Sequence, residues 1–293
     1  MVKLNKYFGQ ILLNLVFIIL CVAFLYPFAM LISASLSSEA DIVEYGYKLI
    51  PKKIDFTAYK MVFENPNAVL SAYKVTIIFS VLGTVLGVFI MSLIAYPLSR
   101  KDFRARNMIS FYLFFTMLFS GGLVPSYILN TQYLHLNNTI FIYILPGLIS
   151  VWYVFMMRSF FAGIPYEIIE SARMDGAKEF RILFQFIYPL SKPVLAAIAL
   201  FTLLEKWNDW MTSLLYIDDK NLISLQYLLQ SIMKNVEMLM DAQNSGLTMN
   251  MESIPSETLR MAMAMVVAGP ALVVFPFFQK YFVQGLTVGS VKG

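Results

Sequence analysis

Long uncharged runs alternate with short charged segments along this chain, and within the runs the apolar positions are continuous. A helix that crosses ~30 Å of hydrocarbon needs ~20 mostly apolar residues. Six stretches qualify: Ile11–Ser33, Val75–Ser99, Met108–Leu129, Asn138–Met157, Pro193–Ile217 and Met261–Gln279. The third and fourth divide one uncharged run, Asn107–Met157, which carries Gly121-Gly122, Pro125 and the polar cluster Asn130–Thr139 in its middle. Membrane-barrel strands would alternate over ~10 residues, and these runs do not. The first stretch follows Lys3 and Lys6, as a signal-peptide core would. It is longer than the ~7–15 residues of such a core and has no convincing small-x-small cleavage site, so a retained helix is expected.

Composition sharpens the picture. Hydrophobic residues make up 59% and charged residues 14%, with a mean hydropathy of +0.68. Soluble domains run near ~45–50% apolar and ~25% charged. A chain this apolar cannot cover itself with polar groups, which excludes a soluble enzyme, a disordered protein and a secreted disulfide scaffold. One cysteine, Cys21, and one histidine, His135, exclude an internal disulfide and a multi-histidine metal site.

The net charge of +4 matters less than its placement. With a cytoplasmic N-terminus and alternating helices, the inner segments hold 13 of the 22 Lys and Arg but only 5 of the 18 Asp and Glu. Arg100, Lys101, Arg104 and Arg106 in one short loop cast the strongest vote, because short basic loops stay inside. Both termini are therefore expected in the cytoplasm.

The longest inner loop, 158–193, is too patterned for a connector. Pro165 stands where a helix can start. Glu167 and Glu170 follow in the first turn, where the helix dipole favours acids. Gly176 can take a left-handed turn, and a second short helical pattern, Lys178–Ile187, runs to Pro189. The residues read as a helix–turn–helix at the inner face, with small Ser171, Ala172 and Ala177 exposed for docking. The alternative is an ordinary solvated hairpin.

Glu170-Ser171-Ala172-x-x-Asp175-Gly176-Ala177, with Pro189 thirteen residues after Gly176, resembles the EAA loop of permease subunits of bacterial ABC importers. Ser171 stands where that pattern has Ala, and Phe186 and Tyr188 replace its usual Ile and Leu. Further segments resemble carbohydrate-importer permeases: Ser120–Pro125, Leu145-Pro146-Gly147, Pro189–Pro193, Trp207-Asn208 and Phe278–Phe282. The nearest group handles complex or acidic oligosaccharides such as aldouronate and rhamnogalacturonan. The resemblance covers nearly the whole chain. It implies an all-α membrane protein with six transmembrane helices, a type I ABC importer permease fold and a cytoplasmic coupling (EAA) loop. It implies ATPase docking through Glu170, Ser171, Ala172, Asp175, Gly176, Ala177 and Pro189. Its partners would be a second homologous permease, two ATPase subunits, an extracellular lipid-anchored solute-binding protein, membrane lipid and an oligosaccharide, with no nucleic acid. The expected organisation is 1–69 for the first helix and an outer loop, 70–283 for the core with coupling loop 158–193, and 284–293 as a tail.

A phosphate-cradling loop needs Gly-x-x-x-x-Gly-Lys-Ser/Thr, and no Gly-Lys pair occurs here. No catalytic, cofactor or metal site is expected on this chain, and ATP and Mg belong on the partner ATPase. The fifth stretch is the exception to apolar lining. Thr202, Glu205, Asp209 and Thr212 are spaced for one helical face, with Asn208 beside them and Trp207 and Trp210 flanking. Charged groups at membrane depth face a bundle interior or an aqueous cavity. Glu205, Trp207, Asn208, Asp209 and Thr212 are therefore expected to line a translocation path. Alternatively the helix ends near Glu205 and the tryptophans form an interfacial belt.

Lesser features carry plainer readings. Gly83-x-x-x-Gly87 suits close helix packing, and His135 a solvated hairpin. Methionine-rich Met238–Met251 reads as loose loop contacts rather than a copper site. An ATP-independent secondary transporter or channel subunit for a small polar solute is the competing class. It would favour ionisable residues in several helices, and only one helix here has them.

Overall fold

The computed structural model describes residues 2–244 and 255–289. Half of the methionine-rich stretch, 245–251, lies outside them. Every regular element among the described residues is helical, and contacts group the chain into two compact units.

The first unit joins Met1–Val69 to Leu229–Gly269. Helix α1 (Val2–Ser35) leaves Ile11, Phe17, Phe24 and Leu25 exposed on several faces, as a lipid-facing helix would. Short α2 (Glu39–Tyr45) and α3 (Thr57–Val62) follow. The Asp55 carboxylate accepts the Thr57 N–H at 2.8 Å and is held below its usual pKa by the Thr57 hydroxyl and that N–H. Residues 229–269 reach this unit from later helices and from a long C-terminal helix that starts at Ser256. Glu39 accepts the N–H groups of Glu257 at 3.0 Å and Thr258 at 2.9 Å, so a carboxylate caps the free donors where that helix begins.

The second unit runs from Leu70 to Leu228 and resumes at Pro270. Helix α4 (Pro66–Ser99) presents Ala72, Val75, Thr76, Phe79, Ser80, Thr84 and Met91 inward at helical spacing, with Leu82, Val85 and Phe89 outward. The next elements are α5 (Arg106–Leu118), α6 (Leu123–Ile128), α7 (Phe141–Ile144), α8 (Val151–Ala162), α9 (Tyr166–Met174) and α10 (Glu179–Ile182). They continue as α11 (Tyr188–Leu190), α12 (Lys192–Trp207), α13 (Met211–Tyr216), α14 (Leu225–Asn244) and α15 (Ser256–Gly289). Met91, Tyr153, Val154, Met157, Ile169, Ala172, Ile182 and Ile198 share one buried cluster from α4, α8, α9, α10 and α12.

The apolar stretches become two kinds of element. Gly9–Ser35, Pro66–Ser99 and Ser256–Gln279 are continuous helices long and apolar enough to cross a membrane. Two further stretches are bent. Arg106–Leu118 and Leu123–Tyr133 meet at 110°, where Gly122 has φ +83°. Glu179–Leu190 and Lys192–Trp207 meet at 83°. The stretch expected at 138–157 is α7 followed by the 12-residue apolar helix α8, with Pro146 and Gly147 between them. Proline lacks the N–H that would continue α7.

Candidate functional site

The loop after α8 is built as two short helices. Pro165 precedes α9, and Gly176 closes it with φ +76°. The Ala177 N–H donates to the Ala172 carbonyl at 2.9 Å, and the Gly176 N–H to the Arg173 carbonyl at 2.9 Å. This is a Schellman closure, which requires left-handed backbone at the glycine position. The chain then reverses into α10. Leu183–Ile187 follows with wide π-helical turns before Pro189, whose missing N–H cannot bond back to the preceding turn.

Charges lock the two short helices to the α4–α5 loop. Arg173 lies 2.6 Å from Glu179 and 3.0 Å from Asp102, and Arg100 lies 3.2 Å from Asp102. The Tyr96 hydroxyl donates to Glu179 at 2.6 Å. The hydrogen bonds from Arg100, then those from Arg173, pull the Asp102 pKa down to about 2. Burial pushes the Glu179 pKa up, but Tyr96 and Arg173 together leave it below the usual value.

Glu170, Ser171, Asp175, Gly176 and Pro189 are exposed on this loop. Ala172 is not: it is buried in the core cluster, and Ala177 packs against that cluster. The expectation that both are exposed for docking is corrected. Their small size lets α9 lie close to the body of the unit. The Ser171 hydroxyl donates to the Glu167 carbonyl of its own helix at 2.8 Å. Backbone bonds close the turn and the Arg173–Glu179 ion pair spans it, whereas the Asp175 carboxylate has no hydrogen-bond partner among the described residues.

The polar stripe is likewise only partly as expected. Helix α12 stops at Trp207 and α13 starts at Met211, so Pro193–Ile217 is not one helix. Side chains compete for the backbone at the break. Asn208 Nδ2 donates to the Leu204 carbonyl at 2.9 Å, and Asp209 Oδ1 accepts the Thr212 N–H at 3.0 Å. A cleft of ≈ 320 Å³ collects Glu205, Lys206, Asn208, Asp209, Trp210 and Thr212 with Tyr143, Pro146 and Gly147. Glu205 accepts the Tyr153 hydroxyl at 2.5 Å. Trp207 does not line the cleft: it is buried, with its ring 6.5 Å from that of Tyr73. Thr202 is buried too. Trp210 takes the lining position expected of Trp207.

Lys206 is the member that the sequence reading left out, although a basic residue inside an apolar helix is itself a signal. A chain of polar pairs links Tyr143 to the Asp209 backbone at the cleft. Tyr143 bonds Ser213 at 2.6 Å, Ser213 donates to Ser224 at 2.9 Å, and Ser224 donates to the Asp209 carbonyl at 2.8 Å. The Phe79 ring stacks on Tyr143 with centroids 4.3 Å apart.

Broken apolar spans around a polar cleft, with a charged helical hairpin beside them, describe a membrane permease without a motor of its own. The chain belongs to the family described as binding-protein-dependent transport system inner membrane component, which matches residues 101–288. It is similar to Protein LplC of Bacillus subtilis (strain 168), 36% identical over 91% of this chain and 89% of that one. It is also similar to the polygalacturonan/rhamnogalacturonan transport system permease protein YtcP of the same organism, 34% identical over 99% of each. Among solved structures it resembles a bacterial ABC transporter involved in the import of the acidic polysaccharide alginate. The TM-score is 0.77 and the identity 29%, over 95% of this chain and 98% of that one. The chain is thus a non-enzymatic permease subunit of an ABC importer with the type I fold, a multi-pass protein of the cytoplasmic membrane. Membership implies an ATPase on a separate subunit, a solute-binding protein and another permease as partners.

Proposed function

We propose that this chain is one half of a heteromeric permease pair that imports oligosaccharide, with both termini in the cytoplasm. An extracellular lipid-anchored binding protein delivers the sugar. Two ATPase subunits hold ATP and Mg, and each permease half docks one of them through its 158–193 loop. The cleft at Glu205, Asn208, Asp209 and Thr212 forms part of the path, where acids and an amide suit sugar hydroxyls and Trp210 suits the apolar face of a ring. Helix α1 meets lipid.

The carrying observation is the hydrogen-bonded, ion-paired hairpin. Its end, where Glu170, Ser171, Asp175 and Gly176 are exposed, is closed by a Schellman turn and tied to the α4–α5 loop by Arg173. A tip fixed in this way transmits force, whereas a loose connector absorbs it. ATP-driven motion of a docked ATPase would reach α12 through the 83° bend that follows α11. Similarity to a polygalacturonan/rhamnogalacturonan permease and to an alginate importer supports a polysaccharide-derived substrate. The test is affinity isolation of this chain from its own membranes. A second permease and an ATPase co-isolate if the proposal holds; this chain isolated alone contradicts it.

A further inference from the structure

Lys206 is only 8% exposed, yet it lies in the cleft lining at the end of α12. Its stem crosses α4 at Gly83. A Cβ there would fall 2.5 Å from Lys206 Cε and 3.0 Å from Nζ, so the groove exists because residue 83 has no side chain. The ammonium has three donors. Among the described residues it bonds only the Tyr143 carbonyl, at 3.1 Å, at the end of α7, where helix carbonyls lack internal partners.

The two nearest acids along the chain are occupied elsewhere. Glu205 bonds the Tyr153 hydroxyl, and Asp209 caps the Thr212 N–H. Neither lies within ion-pair distance of Lys206. The two carboxylates act on the ammonium through space only, and two of its three N–H donors have no hydrogen-bond partner among the described residues, which is costly at such burial. Glu205, Asp209 and Asn208 can serve neutral hydroxyls, while Lys206 supplies a positive charge in the same lining. A cation in such a cleft is suited to a carboxylate on the solute.

Resting on the oligosaccharide reading above, we propose that Lys206 is a specificity-determining residue. Its ammonium takes the carboxylate of a uronate-type sugar unit as the solute passes the cleft. The carboxylate replaces or joins the Tyr143 carbonyl, and Gly83 keeps the lysine stem in place.

The test uses the complete importer in proteoliposomes with its binding protein. The probes are an oligogalacturonate and its carboxyl-reduced, neutral counterpart. Lys206→Met keeps the unbranched stem and removes the charge. The expected result is a fall of roughly tenfold or more in the ratio of acidic to neutral uptake. Lys206→Arg, which keeps a cation, retains the wild-type preference. An unchanged ratio in Lys206→Met overturns the proposal, because both probes then depend on Lys206 only through packing. A wild-type importer that moves only the neutral probe also overturns it and leaves the oligosaccharide reading standing. A wild-type importer that moves neither probe overturns both.

Discussion

Gly83 and Lys206 define each other. Adding a methyl at Gly83 forces the lysine tip to move, and overpacking of this kind costs ~1–3 kcal/mol, at the low end when the neighbour is a flexible stem. Gly83→Ala should therefore lower the thermal unfolding midpoint of the purified complex. Because the conflict is with one side chain, Gly83→Ala combined with Lys206→Ala should cost less than the two single changes added together. Strict additivity would mean that the close approach is relieved elsewhere. Glu205 and Asp209 support a second prediction. Replacing both with leucine removes the cleft's carboxylates and the cap on the Thr212 N–H. Oligosaccharide uptake should fall roughly tenfold or more while the complex still assembles. Wild-type uptake by the double variant would give these residues a purely local role.

Among the helices, those of the 158–193 loop are held by charges with a defined pH window. Asp102 and Glu179 have pKa values below those of the unfolded chain, ~3.9 and ~4.3. Their stabilisation is therefore complete above those values and is lost as pH falls through the folded ones, about 2 for Asp102. Both carboxylates are substantially exposed, so each contributes under ~1 kcal/mol. Hydrogen exchange at residues 166–182 should show constant protection between pH 5 and 8, once corrected for intrinsic rates, and weaker protection near pH 3. In Asp102→Asn, protection should be weaker already at pH 7. Equal protection in the variant and wild type would mean that packing of Ile169 and Ala172 alone holds α9. The same elements show what could be read in advance. Uninterrupted apolar runs announced α1, α4 and most of α15, and Pro165 and Gly176 announced the hairpin. The breaks were harder to see. Gly122 marks a turn only because its backbone is left-handed. The end of α12 depends on Asn208 and Asp209 bonding backbone that a helix would otherwise claim. Spacing along an assumed helix placed Trp207 in the cleft, and the break placed Trp210 there. Burial of Ala172 depends on α4, α8 and α10 converging on it, and no local pattern encodes that.

The molecule as a whole works through sidedness and coupling. With exposed Cys21 replaced by serine, single cysteines at Asn107 and Ser171 should react with an impermeant reagent only after the inner face is opened. A cysteine at Gln132 should react from outside in intact cells. Labelling of Ser171→Cys from outside would invert the topology and remove the loop from any cytoplasmic ATPase. Coupling through the hairpin tip is what an importer subunit requires, and one pair of variants isolates it. Gly176→Val puts a β-branched residue at φ +76°, a position unfavourable by roughly 1–3 kcal/mol. Glu170→Lys reverses the charge of an exposed residue on the same tip. Membranes carrying each variant should be compared for permease level, retained ATPase and oligosaccharide uptake. Docking through the tip predicts normal insertion and pairing with the second permease, reduced ATPase retention and loss of uptake in both. Full ATPase retention with wild-type uptake in both variants would contradict it and reduce the hairpin to a connector.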